Sequence, residues 1–333
     1  MADRRAVRVS RFGDASALGI ADEALRRPLG NDVVVRVTHA SVGATDLLAR
    51  RGGYVFQPLP GFTPGYDFVG VLETESAVSV ALGLRTGARV AGVLPRMGAH
   101  ATRVTLSPTF LVAVPDALDS AVAATLPLDA VTAAVALRLT GPGTGPDRRL
   151  LVQGASGAVG AFAVQLATHE GRTVVGTASA RTRAFAESLG IPVVDYHTAD
   201  WTGAARRAAG GPFDGAIDHT GGPRVRDALA PGGTLVRTAF AGREGHERSD
   251  SLQGAAEATL RRHGHPRERV CSIPYFVLTR RPHYRALLRG LLSAVDSGRL
   301  QPPTPEVHAF DDVWEANRAA EHVAPGRKVV LAI

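Results

Sequence analysis

A glycine-rich turn near the middle of the chain offers the clearest chemistry in the sequence. The apolar segment Leu151-Val152-Gln153 runs into three glycines, and an apolar helical pattern follows. A buried strand that leads through a glycine turn into a helix directs backbone N–H groups and the positive end of the helix dipole to one point, where a pyrophosphate can bind. We therefore predict a dinucleotide site at this turn. Its residues are Gly154, Ala155, Ser156, Gly157, Ala158, Val159 and Gly160.

The spacing of these glycines departs from the usual dinucleotide pattern. In G-x-G-x-x-G the first glycine would fall at Ala155, and Gly154 stands one residue earlier. A plain tight turn is the alternative interpretation. The complete order of strand, turn, helix and strand favours the dinucleotide.

The end of the next strand indicates which dinucleotide binds. NAD sites carry an acid about 20 residues after the turn, where it bonds the ribose 2′-hydroxyl. No Asp or Glu occurs between Arg172 and Ala186, whereas Ser179, Arg181 and Arg183 offer a hydroxyl and guanidinium groups that suit a 2′-phosphate. We therefore expect NADPH as the cofactor. Because Arg is common in this chain, a solvated basic helix start is the alternative.

The elements that must position these residues begin with a β-rich region. Short segments of alternating apolar and polar residues over residues 1–120 predict half-buried antiparallel strands. The predicted strands are Arg4–Val9, Asp32–Ala40, Tyr66–Glu73, Ala88–Leu94, Ala101–Val104 and Leu111–Val114.

A second region alternates strands and helices, which is typical of a doubly wound parallel sheet. After a helical stretch at Ser120–Leu139, the predicted strands are Arg149–Gln153, Arg172–Thr177, Pro192–Asp195, Asp214–His219 and Thr234–Ala239. The helices between them are Ala158–Thr168, Arg181–Leu189, Trp201–Ala209 and Arg224–Leu229. A polar loop over residues 242–269, with a helix at Leu252–Arg262, precedes a strand at Val270–Val277 and a helix at Arg285–Ser297. A final strand, helix and strand, Val307–Phe310, Val313–His322 and Lys328–Ile333, are expected to return to the first domain.

Composition excludes several classes of protein. The 333 residues, 45% hydrophobic and 21% charged, fit two globular domains. The net charge of +7 is the excess of 37 Arg and one Lys over 31 Asp and Glu. The basic residues are scattered except at Arg261–Arg289, which lacks interleaved stacking aromatic residues, so we expect no nucleic-acid partner. The single Cys271 excludes an internal disulfide framework and a four-cysteine zinc lobe. No apolar leader or membrane span is present in the pattern, and we expect a soluble cytoplasmic protein.

The chain resembles the medium-chain dehydrogenase/reductase superfamily, and within it the zinc-free quinone oxidoreductase group. The matching stretches, in order, are HASVGATDLLARRGGY, FTPGYDFVGVL, TGARVAGVL, AATLPLDAVTAAVAL, LLVQGASGAVGAFAVQLA, GTASARTRAFAESLG, FDGAIDHTGG, LAPGGTLV and GRKVVLAI. The resemblance implies an α/β protein with a GroES-like β-rich domain at 1–121 and 291–333 and a Rossmann doubly wound parallel-sheet domain at 122–290. It places the active site in the cleft between the two.

The resemblance also bears on metal. Zinc-dependent members carry a Cys where this chain has Gly43 and a His where it has Tyr66, and neither substitute is a zinc ligand. Asp67 keeps the acid of the second motif, and Asp129 lies near the place of a third ligand. The histidines form no spaced cluster, so we predict no metal site.

Without a Lewis acid, an unactivated ketone is a poor hydride acceptor, whereas a quinone or an α,β-unsaturated carbonyl needs only hydrogen-bond donors. Thr45, Asp46 and Tyr54 are the candidate catalytic residues. By resemblance, Tyr54 lies near the active-site tyrosine of quinone oxidoreductases, Thr45 stands near the place of their usual Asn, and Tyr196 contacts the adenosine phosphate. The alternatives are a backbone hydrogen-bonding role for Asp46, a packing role for Tyr54 and a strand-end aromatic at Tyr196.

We therefore expect an NADPH-dependent, zinc-free oxidoreductase that reduces a quinone or an activated double bond of a small molecule. The alternatives are a protein of the same fold that binds NADPH without redox turnover, in a structural, sensing or biosynthetic cyclase role, and a zinc alcohol dehydrogenase. The apolar segment Val270–Val277 predicts an open sheet edge and hence a homodimer. If the polar loop covers that edge, the protein is a monomer.

Overall fold

The computed structural model describes residues 3–240, 242–243 and 245–333, and the chain divides into two compact units. The first unit comprises Met1–Val131 and Ile273–Ile333, and the second comprises Thr132–Ser272. The strands are β1 (Arg4–Val9), β2 (Leu18–Glu23), β3 (Val33–Val42), β4 (Asp67–Leu72), β5 (Arg89–Val93), β6 (Arg103–Leu106), β7 (Leu111–Ala113), β8 (Arg149–Val152), β9 (Thr173–Ala178), β10 (Val193–Asp195), β11 (Phe213–Asp218), β12 (Leu229–Arg237), β13 (Arg267–Val270), β14 (Thr304–Ala309) and β15 (Arg327–Ala332). The α-helices are α1 (Ala44–Arg50), α2 (Ala77–Ala81), α3 (Ser120–Ala124), α4 (Pro127–Leu139), α5 (Ala158–His169), α6 (Arg183–Ser188), α7 (Trp201–Ala208), α8 (Glu247–Leu260), α9 (Ile273–Thr279), α10 (Arg281–Asp296) and α11 (Val313–Glu321).

The first unit is built mainly on antiparallel strands, as predicted, and β14 pairs with β15 in parallel. β1 pairs with β2, and a second sheet has the order β14-β15-β3-β4-β5-β7, with β6 also paired to β3. The C-terminal strand β15 lies against β3, with Val329 opposite Val42, so the end of the chain returns to the first domain. Val7, Val42, Val313 and Leu331 are buried together in the core of this unit.

The second unit is a six-stranded parallel sheet in the order β10-β9-β8-β11-β12-β13. This is the doubly wound order, in which the third, second, first, fourth, fifth and sixth strands of the domain lie side by side. Leu151, Val175, Phe213 and Leu235 pack with Trp201 of α7 in its core. The strand order reverses between β8 and β11, and ligands of such sheets bind outside the carboxyl ends of the strands at that point.

The two units divide at other positions than the predicted boundaries at 121 and 291. Helix α10 belongs to the first unit because its side chains bond that unit's backbone. The Tyr284 hydroxyl accepts from the Val93 amide at 2.8 Å and donates to the Phe110 carbonyl at 3.1 Å. The Arg285 Nε atom donates to the Leu111 carbonyl at 3.0 Å.

The predicted strand at Val270–Val277 is wrong. Strand β13 ends at Val270, and helix α9 begins at Ile273. The β-branched and aromatic residues of this segment suggested a strand, but Pro274 lies in the first helical turn, where proline's missing N–H is not needed.

Smaller differences follow the same physical rules. The helical stretch at Ser120–Leu139 is interrupted before Pro127, so that α3 and α4 are separate. The helix predicted at Arg224–Leu229 is a 3₁₀ helix, Pro223–Ala228. Strand β2 and helices α1 and α2 were not predicted. Among the described residues, the helices are all too short or too polar to cross a lipid bilayer.

Candidate active site

The glycine turn of the second unit connects β8 to α5 at the carboxyl end of the sheet. Gly154 has a φ of +73°, a conformation that favours glycine. Its amide donates to the Thr177 hydroxyl at 3.0 Å, and the Ala155 amide donates to the Thr177 carbonyl at 2.9 Å. The Thr177 hydroxyl in turn donates to the Gln153 side chain at 2.9 Å. Thr177 of β9 therefore fixes the path of the turn.

The first turn of α5 leaves its backbone amides open. Gly157 is the N-cap residue, and no side chain caps the helix. The amides of Ala158, Val159 and Gly160 consequently lack an intrahelical acceptor, as the first amides of every helix do. A Cβ built on Gly157 would meet nothing closer than the Gly154 carbonyl oxygen at 3.4 Å, so the protein itself leaves space there. This open cradle fits a pyrophosphate.

Gly160 has a different role in the same turn. A Cβ at Gly160 would lie 2.2 Å from the Gly154 carbonyl oxygen, so only glycine lets α5 pack against the turn. The glycine pattern thus combines one packing position with one open position, at Gly157.

A chain of hydroxyl groups joins the turn to the loop after β9. The Ser156 hydroxyl donates to the Thr182 hydroxyl at 3.0 Å, and the Ser179 hydroxyl lies 3.3 Å from the same Thr182 oxygen. Thr182 was not predicted as a site residue, because it lies between Arg181 and Arg183, whose charges directed the prediction. The contact brings Ser156 and Ser179, both predicted cofactor residues, to one place.

The two arginines of this loop differ in their partners. Arg183 forms an ion pair with Glu187 one turn later, with its Nε atom 2.7 Å from the carboxylate. Arg181 is exposed, and none of the ion pairs within residues 3–240, 242–243 and 245–333 involves it. An anion at this loop would therefore find its free guanidinium at Arg181.

Tyr196 follows β10, the strand beside β9. Its ring is 36% exposed and lies 4.3 Å from the ring of His197. Asp195 accepts hydrogen bonds from the backbone amide and the ring of His197, and these bonds hold the pKa of Asp195 below its ordinary value. Tyr196 thus lies at the same carboxyl edge of the sheet as Ser179.

In the first unit, helix α1 carries two of the predicted catalytic residues. Asp46 is buried, and its carboxylate accepts from the Gly43 amide at 2.9 Å and the Gly65 amide at 2.8 Å. This is the backbone role weighed for Asp46, and it ties the start of α1 to the strand that begins after Gly65. Thr45 is half-buried, and its hydroxyl makes no hydrogen bond in the part of the chain that the structure describes.

Tyr54 meets a second tyrosine. Its hydroxyl lies 2.8 Å from that of Tyr66, and the two rings are edge to face with centroids 6.1 Å apart. Burial is the main cause that raises the pKa of Tyr66 to about 12, and it also raises the pKa of Tyr54 strongly. Both phenols are therefore protonated near neutral pH and can serve as hydrogen-bond donors.

A buried charge cluster lies beside the start of α1. Lys328 of β15, the one lysine of the chain, forms an ion pair with Asp129 of α4 at 2.6 Å. Asp67 accepts from the Ser41 hydroxyl at 2.6 Å and from the Leu128 amide at 2.9 Å. Burial raises the pKa of Asp67 to about 7, and the Lys328 charge opposes this only in part.

The same ammonium group lies against Gly43. A Cβ built there would be 2.9 Å from the Lys328 Nζ atom. The part played by Lys328 was not predicted, and its being the one lysine among 38 basic residues was the signal that could have found it.

Family models match both parts of the chain. Residues 30–116 match the alcohol dehydrogenase GroES-like domain, and residues 158–261 match the zinc-binding dehydrogenase domain. The chain is 30% identical over 252 residues to a chloroplastic quinone-oxidoreductase homolog of Spinacia oleracea, covering 68% of this chain and 74% of that protein. It is 31% identical over 176 residues to the quinone oxidoreductase of Sus scrofa, covering 52% of each. The chain spans about half the length of the curated relatives that it matches first.

Solved structures share the whole fold. The CurK enoyl reductase superposes with a TM-score of 0.81 at 22% identity, and 99% of each chain is covered. A mycobacterial protein in complex with NADPH superposes with a TM-score of 0.81 at 23% identity, over 99% of this chain and 100% of that one. At these identities the likeness concerns the fold. It confirms the predicted combination of a GroES-like and a Rossmann-like domain.

Proposed function

Because this chain belongs to the medium-chain dehydrogenase/reductase superfamily, in its quinone oxidoreductase-like group, we propose that it is a zinc-free, NADPH-dependent enzyme that reduces a quinone or an α,β-unsaturated carbonyl. Its relatives support an oxidoreductase with a nicotinamide cofactor. The observation that carries the proposal is the open cradle at Gly157 on the uncapped first turn of α5.

The residues of the second unit fit NADPH. The amides of the first turn of α5 would bind the pyrophosphate, and Ser179 and Arg181 would bind the 2′-phosphate, where an acid selective for NAD is missing. Tyr196 would lie beside the adenosine phosphate. When bound, NADPH supplies a hydride, which together with one proton converts a quinone to a hydroquinone or an enone to the saturated carbonyl.

The residues of the first unit do not fit zinc, although one matching family model is described as zinc-binding. Gly43 carries no ligand, and Lys328 brings an ammonium group, which has no lone pair and repels a metal ion, to that place. Tyr66 is bonded to Tyr54 instead of standing free.

The substrate class follows from what replaces the metal. The Tyr54 hydroxyl, half-buried and protonated, can donate to the oxygen of a carbonyl group. A hydrogen-bond donor of this kind stabilises a developing phenolate or enolate by about 3 to 4 kcal/mol at best, which suffices only for an acceptor that is already electrophilic. Thr45 is a second candidate donor, whereas both oxygens of Asp46 are occupied by backbone amides.

Measurements of cofactor binding, turnover and metal content on the purified protein test the proposal. Calorimetric titration should give tighter binding of NADPH than of NADH, and loss of NADPH absorbance should follow addition of benzoquinone, phenanthrenequinone or an open-chain enone. Elemental analysis should find no stoichiometric zinc, and chelators should leave the rate unchanged. Binding of NADPH with no oxidation by any member of the panel would instead indicate an NADPH-binding protein without redox turnover.

A further inference from the structure

The tyrosine pair of the first unit holds one hydroxyl hydrogen more than it uses. Tyr54 and Tyr66 each have an O–H group, and a single hydrogen bond of 2.8 Å joins them. No other group of the described chain accepts from either hydroxyl. One hydrogen of the pair is therefore left for an acceptor that the protein does not provide.

Burial decides which tyrosine carries that hydrogen. Tyr66 is 2% exposed, whereas Tyr54 is only half-buried. A donor without an acceptor is unfavourable in a buried place and is tolerated where water or a ligand can reach it. The favoured arrangement has Tyr66 donating to the Tyr54 oxygen, so that the Tyr54 hydrogen faces the outside.

Tyr66 is also the fixed member of the pair. The Leu94 amide donates to the Tyr66 carbonyl at 2.7 Å. Both neighbours of Tyr66 are also held by hydrogen bonds: the Gly65 amide donates to the Asp46 carboxylate, and the Asp67 carboxylate accepts from the Ser41 hydroxyl and the Leu128 amide. Tyr54 lies in the loop after α1, and its ring contacts Phe56 and Tyr66. The buried phenol of Tyr66 can thus set the direction of the more exposed Tyr54 hydroxyl.

We propose that Tyr66 is a positioning residue for the reduction: its buried hydroxyl donates to Tyr54 and thereby directs the Tyr54 hydroxyl hydrogen to the substrate oxygen. A hydroxyl that accepts a hydrogen bond is polarised and becomes a better donor itself, so the pair stabilises an oxyanion better than one tyrosine does. The inference rests on the proposed function for the identity of the substrate, a quinone or enone. The group that the Tyr54 hydroxyl would bind is any phenolate or enolate oxygen.

The variants Tyr66→Phe and Tyr54→Phe and the double variant test the proposal by kinetics. With benzoquinone and NADPH, we expect kcat to fall about tenfold in Tyr66→Phe and about a hundredfold in Tyr54→Phe, with KM little changed. Because Tyr66 acts through Tyr54, the double variant should be no slower than Tyr54→Phe alone. The control is Tyr284→Phe, which removes a buried hydroxyl bonded to backbone in the same unit and should lower the melting temperature but not kcat. Single effects that multiply in the double variant would overturn the proposal.

Binding of para-nitrophenol separates this inference from the proposed function. The wild type should bind the phenolate form preferentially, seen as a lowered apparent pKa of the bound dye, and Tyr66→Phe should lose part of that shift. Wild type that shows the shift but oxidises no NADPH overturns the proposed function and leaves the role of Tyr66 standing. An unchanged shift in a folded Tyr66→Phe overturns the role of Tyr66.

If Tyr66→Phe does not fold, the proposal can be tested on the wild-type protein by nuclear magnetic resonance. Its five tyrosines can be replaced by 3-fluorotyrosine, and the Tyr66 resonance can be assigned by elimination after Tyr→Phe variants at positions 54, 196, 275 and 284 have identified the other four. Addition of para-nitrophenolate should shift two resonances together, those of Tyr54 and Tyr66. A shift of the Tyr54 resonance alone would contradict the coupled pair.

Discussion

At the scale of single residues, Gly157 and Gly160 have different roles in one turn: the first leaves space for a ligand, and the second allows close packing. Gly157 has an ordinary φ of −77° and space for a side chain, whereas Gly160 has none. We expect Gly157→Val to fold normally and to lose at least about a hundredfold in NADPH affinity, because the side chain fills the cradle of the pyrophosphate. Calorimetry and thermal melting measure the two effects.

The matched control is Gly160→Val, which should lower the melting temperature because its Cβ would lie 2.2 Å from a backbone oxygen. Unchanged NADPH affinity in a folded Gly157→Val would move the cofactor to another site.

The two arginines after β9 make a second test of the cofactor. The guanidinium of Arg181 is unpaired in the described chain, and that of Arg183 is bonded to Glu187. Since a charge-assisted contact to a phosphate contributes about 1.5 to 3 kcal/mol, NADPH should bind more tightly than NADH by that amount. Arg181→Ala should lower the ratio of the NADH to the NADPH dissociation constant about tenfold, and Arg183→Ala should lower it less. Equal dissociation constants for NADPH and NADH in the wild type would contradict the assignment.

At the scale of elements, β15 and α4 are joined by the buried pair of Lys328 and Asp129. Removing one partner of such a pair leaves a buried charge without compensation and destabilises a protein by about 3 to 5 kcal/mol. We therefore expect Lys328→Met to lower the free energy of unfolding by this amount in urea denaturation. The neighbouring Arg327, exposed and paired with Glu306, is the control, and Arg327→Met should change it by less than about 1 kcal/mol. An equal loss of the free energy of unfolding in both variants would show that the buried ion pair contributes no more to stability than the exposed one.

Asp67 makes the stability of the same elements depend on pH. Its raised pKa of about 7 means that, above the ordinary carboxyl pKa of about 4, the native protein keeps a proton that the unfolded chain has lost. The contribution of Asp67 to the free energy of unfolding should therefore fall as the pH rises from 5 toward 7. Lys328, Asp129 and the Ser41 hydroxyl are the groups that face this carboxyl.

Urea denaturation at several pH values measures this slope, and Asp67→Asn should flatten it. The amide can still accept from the Leu128 backbone and donate to Ser41, so the variant keeps both hydrogen bonds. A slope that persists in the variant would assign the titration to another group.

The elements also show what the sequence could predict. The parallel sheet and the glycine turn were predicted because a strand, a turn and a helix follow one another within a dozen residues, where local pattern is informative. The Lys328–Asp129 pair joins residues 199 positions apart, and Ser156 and Thr182 are 26 apart, so no local pattern reports them. The strand predicted at Val270–Val277 is wrong because its strand-forming side chains lie mostly in a helix with Pro274 in the first turn.

For the whole molecule, the edge strand of the parallel sheet bears on the oligomeric state. β13, the last strand of the parallel sheet, covers Arg267–Val270, most of which was predicted as the end of a polar loop. Arg267 and Arg269 are exposed on it, and charged side chains hinder pairing with another strand. Apolar side chains are exposed in the segment from β13 to α9, with Val270 at 40%, Tyr275 at 68% and Leu278 at 49%. These still favour contact with a second copy of the chain.

We therefore predict a two-fold dimer whose stability depends on salt. A two-fold axis brings like arginines of the two copies near each other, and salt screens their repulsion with a Debye length of about 10 Å at 0.1 M. Sedimentation at micromolar concentration should give twice 34.8 kDa, with the dimer favoured by higher salt. Val270→Asp should dissociate it, whereas Val307→Asp, a change at an exposed valine of β14, should not. A mass near 34.8 kDa at every salt concentration would establish a monomer, with the edge strand closed to pairing by its own charges.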